Sequence, residues 1–250
     1  MPFGYIFSVA LLAFCTAAAV IGPRPAHTTP SHWSYWATFL INELPFLALY
    51  VLIADSVLAY AQGDLLTPGG LVGLAAAVLT AVGLAVLIRR ALATGPELRR
   101  ALADGAGIGL PPSHLPWAHI LLAPFGSRRR DVARVANIPY GDAGRRNLLD
   151  VYHRRERPSG GPVLVYFLGE APPFLFLHGV NDSSVLVEDV REFAARLSEA
   201  SSSPVVLGEL PGAQHAYDLF RSVRYSYVID AVGAFGAWVS AGTGPEQEAV

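Results

Sequence analysis

Lysine is absent from this 250-residue chain, whose 18 basic residues are all arginines. Cysteine is nearly absent as well. The single thiol, Cys15, sits in an apolar run, which excludes an internal disulfide framework and any multi-cysteine zinc or iron–sulfur site. Charge is scarce at 15% of residues, and a mean hydropathy of +0.39 is too apolar for a chain that lives wholly in water. The scarcity is uneven: residues 1–88 hold only Arg24, Glu43, Asp55 and Asp64, and every other charged residue lies in 89–250. No phosphate loop or dinucleotide fingerprint occurs, so neither a cofactor nor a bound nucleotide is expected.

What is abundant is apolar sequence. A helix rising 1.5 Å per residue needs about 20 apolar residues to cross a hydrocarbon core of about 30 Å. Three stretches qualify, at 3–21, 33–54 and 65–88. The first lacks the positive flank of a signal peptide, and Phe14 stands before Cys15 where a lipoprotein site needs a small residue, so it reads as a retained helix. Trp33, Tyr35 and Trp36 open the second span like an aromatic belt, and Arg89 with Arg90 closes the third. Arg89, Arg90, Arg99 and Arg100 place the C-terminal side in the cytoplasm and the N-terminus outside. Small residues in the third span, Gly69, Gly70, Gly73 and Gly83, suit close helix packing. Glu43 lies inside the second span beside Asn42 and just before Pro45. Such a carboxyl is either functional, as in a small transport or sensing unit, or protonated and hydrogen-bonded to a neighbouring helix or to the carbonyls freed by the proline.

The expected organisation is a three-helix membrane anchor at 1–90, a juxtamembrane connector at 91–130 and a water-facing domain at 131–250. The connector combines a short helix at 89–104, a glycine-rich turn, Pro111 and Pro112, and an apolar run at 115–125 that is too short to span. His114 and His119 lie there without a third metal ligand at fixed spacing. From Arg89 to Arg157 there are 13 arginines against 6 acidic residues, whereas 158–250 carries 4 against 11. The basic part therefore adjoins the membrane, where Arg128, Arg129 and Arg130 suit anionic headgroups. Membrane lipids are the expected partner, and nucleic acid is not.

Beyond Val132 strand and helix patterns alternate, the mark of an α/β sheet. Strands are predicted at 132–138, 147–153, 163–168, 174–177 and 205–209. Helical spacing joins Val190, Phe193, Ala194 and Leu197, and again Val228, Ala231, Phe235 and Val239, with an end near Gly242. Two turns that follow strands hold the chemistry, one with Asp182 and the other with His215. A carboxylate orients an imidazole and stabilises its charged form, and the imidazole takes a proton from a nucleophile. The two residues are 33 positions apart, with acid before base, the order used in the α/β-hydrolase fold.

These segments, "IPYGDAGRRNLLDVYHRRE", "GPVLVYF", "PPFLFLHGVNDSSVLVEDVREFAARL" and "LPGAQHAYDLF", resemble the α/β-hydrolase esterases and lipases related to hormone-sensitive lipase, in particular membrane-anchored actinobacterial members. The resemblance implies a truncated α/β-hydrolase-like sheet with flanking helices after three transmembrane helices. It also implies Asp182 as triad acid, His215 as triad base and a small acyl ester as substrate.

The same resemblance exposes a gap. The family's glycine-rich oxyanion loop and its G-x-S-x-G serine elbow are both missing, and Phe167 is followed within a few residues by Pro172. Ser240 is preceded by Trp238 where the elbow needs glycine, and Ser159, Ser183 and Ser184 lack a strand-to-helix turn. Two expectations follow: a membrane-anchored carboxylic-ester hydrolase impaired for want of a nucleophile, or a catalytically inactive relative that serves as a membrane or partner-binding protein.

Overall fold

The computed structural model describes residues 3–22, 30–125, 132–139, 148–154 and 173–242. Helices α1 (Phe3–Ile21), α2 (Pro30–Glu43) and α3 (Pro45–Ala61) lead through a short 3-10 turn, Asp64–Leu66, into α4 (Pro68–Ala106). There follow α5 (Trp117–Leu122), β1 (Val132–Pro139), β2 (Leu148–Arg154), β3 (Phe174–Gly179), α6 (Val187–Ala200), β4 (Val205–Leu210), a 3-10 turn at Tyr217–Leu219, and α7 (Val223–Gly242).

Apolar residues on α1, α3 and α4 face one another around Val9, Leu52, Leu84 and Leu87. Tyr5 of α1 hydrogen-bonds Ser56 of α3 at 3.1 Å. A Cβ at Gly73 would stand 2.9 Å from the Tyr5 ring, and one at Gly83 would stand 2.6 Å from the Thr16 methyl. The early residues of α1 thus meet the early residues of α4 and the late residues of α3, so α3 runs opposite to the other two. Phe7, Phe14, Val72 and Leu79 point outward and are exposed.

Among the described residues two helices are long and apolar enough to cross a membrane, Phe3–Ile21 and Pro68–Ala106. The expected three spans are thereby corrected to two. The predicted second span at 33–54 does not form a single helix, because Pro45 lacks an N–H and forces the residue before it out of the helical region. Leu44 adopts φ −123° and ψ 50°, and Pro45 then begins α3 at a position where its missing donor is harmless. The 17 residues of α3 form a shorter apolar helix.

α4 is the longest element, at 39 residues. Its start is capped by the Thr67 hydroxyl, which accepts from the Gly70 N–H at 3.0 Å. The predicted third span and the predicted connector helix at 89–104 are one continuous helix, which passes through Arg89, Arg90 and Pro96. The donor lost at Pro96 is outweighed by packing, since Leu98 and Leu102 are fully buried among Val206, Leu210 and Val228. The helix stops at Gly107, whose left-handed φ of +67° lets its N–H return to Ala103 while the Ile108 N–H returns to Leu102.

The sheet content is small. β1 and β2 pair antiparallel with an irregularity between Val135 and Ile138, while β3 and β4 pair parallel through the α6 crossover. The predicted strands at 132–138, 147–153, 174–177 and 205–209 all appear within two residues of those bounds. Among the described residues they make two separate two-stranded sheets instead of one truncated sheet. The strand predicted at 163–168 lies outside the described residues. α7 buries Val228 and Ala231 as its spacing requires, whereas Phe193 of α6 is 58% exposed and lies edge-on to Phe176.

Candidate active site

Parallel pairing in the register His178 with Glu209 and Gly179 with Leu210 brings the carboxyl ends of β3 and β4 side by side. The two turns that the sequence singles out leave from this edge, where α/β sheets present reactive groups. Backbone bonds join them: Val180 N–H donates to Leu210 at 3.1 Å and Asn181 N–H to Ala213 at 2.9 Å. The approach is close enough that a Cβ at Gly179 would lie 2.5 Å from the Ala213 carbonyl oxygen.

Asp182 is buried, and its two carboxylate oxygens have separate tasks. Oδ1 accepts from the backbone N–H groups of Ser184 at 2.8 Å and Val185 at 2.9 Å, a local turn that fixes the carboxylate plane. Oδ2 meets Nδ1 of His215 at 2.9 Å. A carboxylate only accepts, so Nδ1 carries the proton and Nε2 is left as the basic nitrogen. Among the described residues nothing hydrogen-bonds Nε2, and the His215 side chain is 48% exposed. The Tyr35 ring of α2 stands edge-on to the imidazole at 6.5 Å. On the other side of the acid, His178 Nε2 lies 3.8 Å from Oδ2 and donates to the Val185 carbonyl at 3.0 Å.

The turn that bears His215 is held under constraint. Gly212 before it and Ala216 after it both have left-handed backbones, with φ of 68° and 59°. Ala216 is the one non-glycine residue with positive φ among the described residues, a conformation that costs about 1 kcal/mol or more. Tyr217 follows, and burial with the nearby Asp218 and Glu43 charges pushes its phenol up to about 12.

Glu43 is not a carboxyl standing in lipid. It pairs with Arg224 at 3.0 Å, with neither side chain exposed, and it accepts from Ser222 at 3.1 Å. Arg224 also donates to the backbone carbonyls of Asn42 at 2.7 Å and Pro211 at 3.0 Å. The far end of α2 is thus fastened to the His215 turn and to the start of α7. The sequence pattern of α2 signals a polar break but not this partner. The site also reaches the end of α1, where Asn181 donates to the Ala19 carbonyl at 3.4 Å and Arg90 donates to Val20 at 2.9 Å. Arg90 thereby satisfies helix-end carbonyls at the favourable end of the α1 dipole.

Among the described residues, none of Ser183, Ser184 and Ser240 hydrogen-bonds His215. The Ser183 hydroxyl is buried with no partner among the described residues, and Ser184 is exposed. Ser240 lies within α7 and donates to the Gly236 carbonyl at 2.8 Å, the geometry of a helix interior and not of an elbow. Ser159, like Arg128, Arg129 and Arg130, falls outside the described residues. His114 and His119 share a groove of about 520 Å³ with Asp218, Arg221, Phe220 and Ile229. Among the described residues no three metal-ligating side chains gather into a site.

Partial relatives give this geometry a context. The chain is 45% identical over 83 residues to the probable carboxylic ester hydrolase LipM of Mycobacterium tuberculosis, which is 33% of this chain and 19% of that protein. It is 44% identical over 70 residues to the esterase LipQ of the same organism, 28% of this chain and 17% of the relative. It is 43% identical over 65 residues to the esterase LipC, also of that organism, 26% of this chain and 16% of the relative. The matched stretch therefore spans less than a fifth of each of these relatives. No family model and no solved structure matches the chain. The partial matches support a relationship to carboxylic ester hydrolases of the esterase and lipase type.

Proposed function

We propose that the chain is a membrane-anchored relative of carboxylic-ester hydrolases in which Asp182 and His215 are the acid and base of an acyl-transfer site. The observation that carries this reading is the 2.9 Å contact between Asp182 Oδ2 and His215 Nδ1, with Oδ1 locked by two backbone donors. In that arrangement Asp182 fixes the tautomer, and Nε2 takes the proton of an attacking hydroxyl as its oxygen bonds to the ester carbonyl. The imidazolium then returns the proton to the departing alkoxide, and Asp182 stabilises the intermediate charge throughout.

The substrate class is a small acyl ester or lipid taken from the membrane surface. This is supported by the contact of the site with the end of α1 and by the apolar outward faces of α1 and α4. Arg89, Arg90, Arg99 and Arg100, all beyond the apolar half of α4, favour a cytoplasmic site.

A second reading, an inactive relative with a membrane or partner-binding role, is favoured by the settings of Ser183, Ser184 and Ser240, none of which hydrogen-bonds Nε2 of His215 among the described residues. Loss of a triad serine leaves only the residual rate that binding and oxyanion donors supply. Labelling of the full-length protein in membranes with a fluorophosphonate probe separates the two. Labelling lost in His215→Ala supports the hydrolase, and equal absence of label in both folded proteins supports the inactive relative.

A further inference from the structure

Gln214 precedes the candidate base and is 1% exposed, so each polar atom of its side chain needs a partner. Its Oε1 accepts from the Ser183 N–H at 2.7 Å and from the His215 N–H at 2.9 Å. Its Nε2 donates to the Thr38 hydroxyl of α2 at 3.1 Å. Two backbone donors converging on one atom fix that atom as the oxygen, so the amide has one orientation.

The placement is particular. Ser183 immediately follows the acid and His215 is the base, so a single buried oxygen bridges the backbone of both turns one bond away from the reacting pair. Asp182 cannot adjust by itself, because its Oδ1 is held by Ser184 and Val185. The separation of acid and base therefore depends on the relative placement of the two turns, and Gln214 joins them.

We propose that Gln214 is a positioning residue that keeps Asp182 and His215 in register, with Thr38 of α2 aiming its amide. The assignment rests on the reading of Asp182 and His215 as an acid–base pair. Truncation to a chain of similar length without hydrogen-bonding atoms leaves the Ser183 and His215 N–H groups without their acceptor and lets the turns separate.

The test is ¹⁵N-histidine NMR of the full-length protein in lipid nanodiscs, reading the exchange of the His215 Nδ1 proton with water. Loss of its resonance in His215→Asn assigns it. Gln214→Met is expected to speed that exchange by about tenfold or more, or to remove the resonance, while far-ultraviolet circular dichroism stays unchanged. Thr38→Val shifts exchange in the same direction by less, and Gln214→Glu restores it, since the carboxylate keeps an acceptor and the Thr38 hydroxyl can turn to donate. Wild-type exchange in folded Gln214→Met overturns the proposal. If that variant does not fold, wild-type exchange in Thr38→Val overturns it instead. Asp182→Asn supplies the separate control: an unchanged resonance there removes the acid–base reading itself, whereas loss there with no effect at Gln214 removes only the positioning role.

Discussion

Glu43 and Arg224 stand 181 positions apart in the chain and meet at 3.0 Å with both side chains fully buried. Their contact joins the C-terminal end of α2 to the start of α7, and Arg224 also holds the Pro211 carbonyl of the turn that presents His215. Replacement of one partner strands the other charge in the interior, and Arg224→Met or Glu43→Gln is expected to cost about 3–5 kcal/mol. The double variant Glu43→Gln with Arg224→Met should lose clearly less than the sum of the singles, which denaturant unfolding in detergent reads as a double-mutant cycle.

Asn42, one residue earlier, is 1% exposed, and among the described residues neither atom of its side-chain amide has a hydrogen-bond partner. Orphaned polar atoms cost more than apolar atoms of the same shape. Asn42→Leu should therefore raise stability by about 1 kcal/mol. A lower thermal midpoint for this variant would contradict the unpartnered placement.

Arg191 of α6 grips Glu209 of β4 with two hydrogen bonds of 2.6 Å and holds its carboxyl below the usual range. A depressed carboxyl favours the fold above the unfolded-state value, and the contribution disappears as pH falls through the folded value. Arg191 is 47% exposed, so screening limits the effect of Arg191→Met to about 0.5–1 kcal/mol at neutral pH. Unfolding curves of this variant and wild type should converge under acid conditions below the glutamate range.

Ala216 carries a left-handed φ of 59° directly after His215. Ala216→Gly relieves that strain but enlarges the freedom of the unfolded chain, so the expected change is a stabilisation of about 1 kcal/mol or less. Loss of stability in calorimetry would show that the alanine methyl makes a packing contribution larger than the backbone penalty.

The four described strands, and the turns that carry Asp182 and His215, were legible because their signals are local. Alternation and flanking turns mark β3 and β4, and Asp182 and His215 each fall in the turn that follows one of them. The helices misled where a distant residue decides the outcome. Asn42, Glu43 and Pro45 announce an interruption, yet nothing near them names Arg224, whose guanidinium makes burial of the carboxyl tolerable. Arg89, Arg90 and Pro96 look like the end of a membrane span, but Leu98 and Leu102 carry the same helix onward by packing against β4 and α7. Gln214 lies in the turn that carries His215, while its anchor Thr38 sits in an apolar stretch whose pattern gives no sign of a polar partner.

Because α4 is unbroken from Pro68 to Ala106, its apolar front half and its sheet-packed rear half share one axis. The rear 18 residues extend about 27 Å, so a change of about 10° in the direction of that axis swings their tip by about 5 Å. The sheet edge that bears His215 rides on that lever. Any change in the direction of the apolar half is thereby delivered, magnified by length, to the place where the imidazole stands.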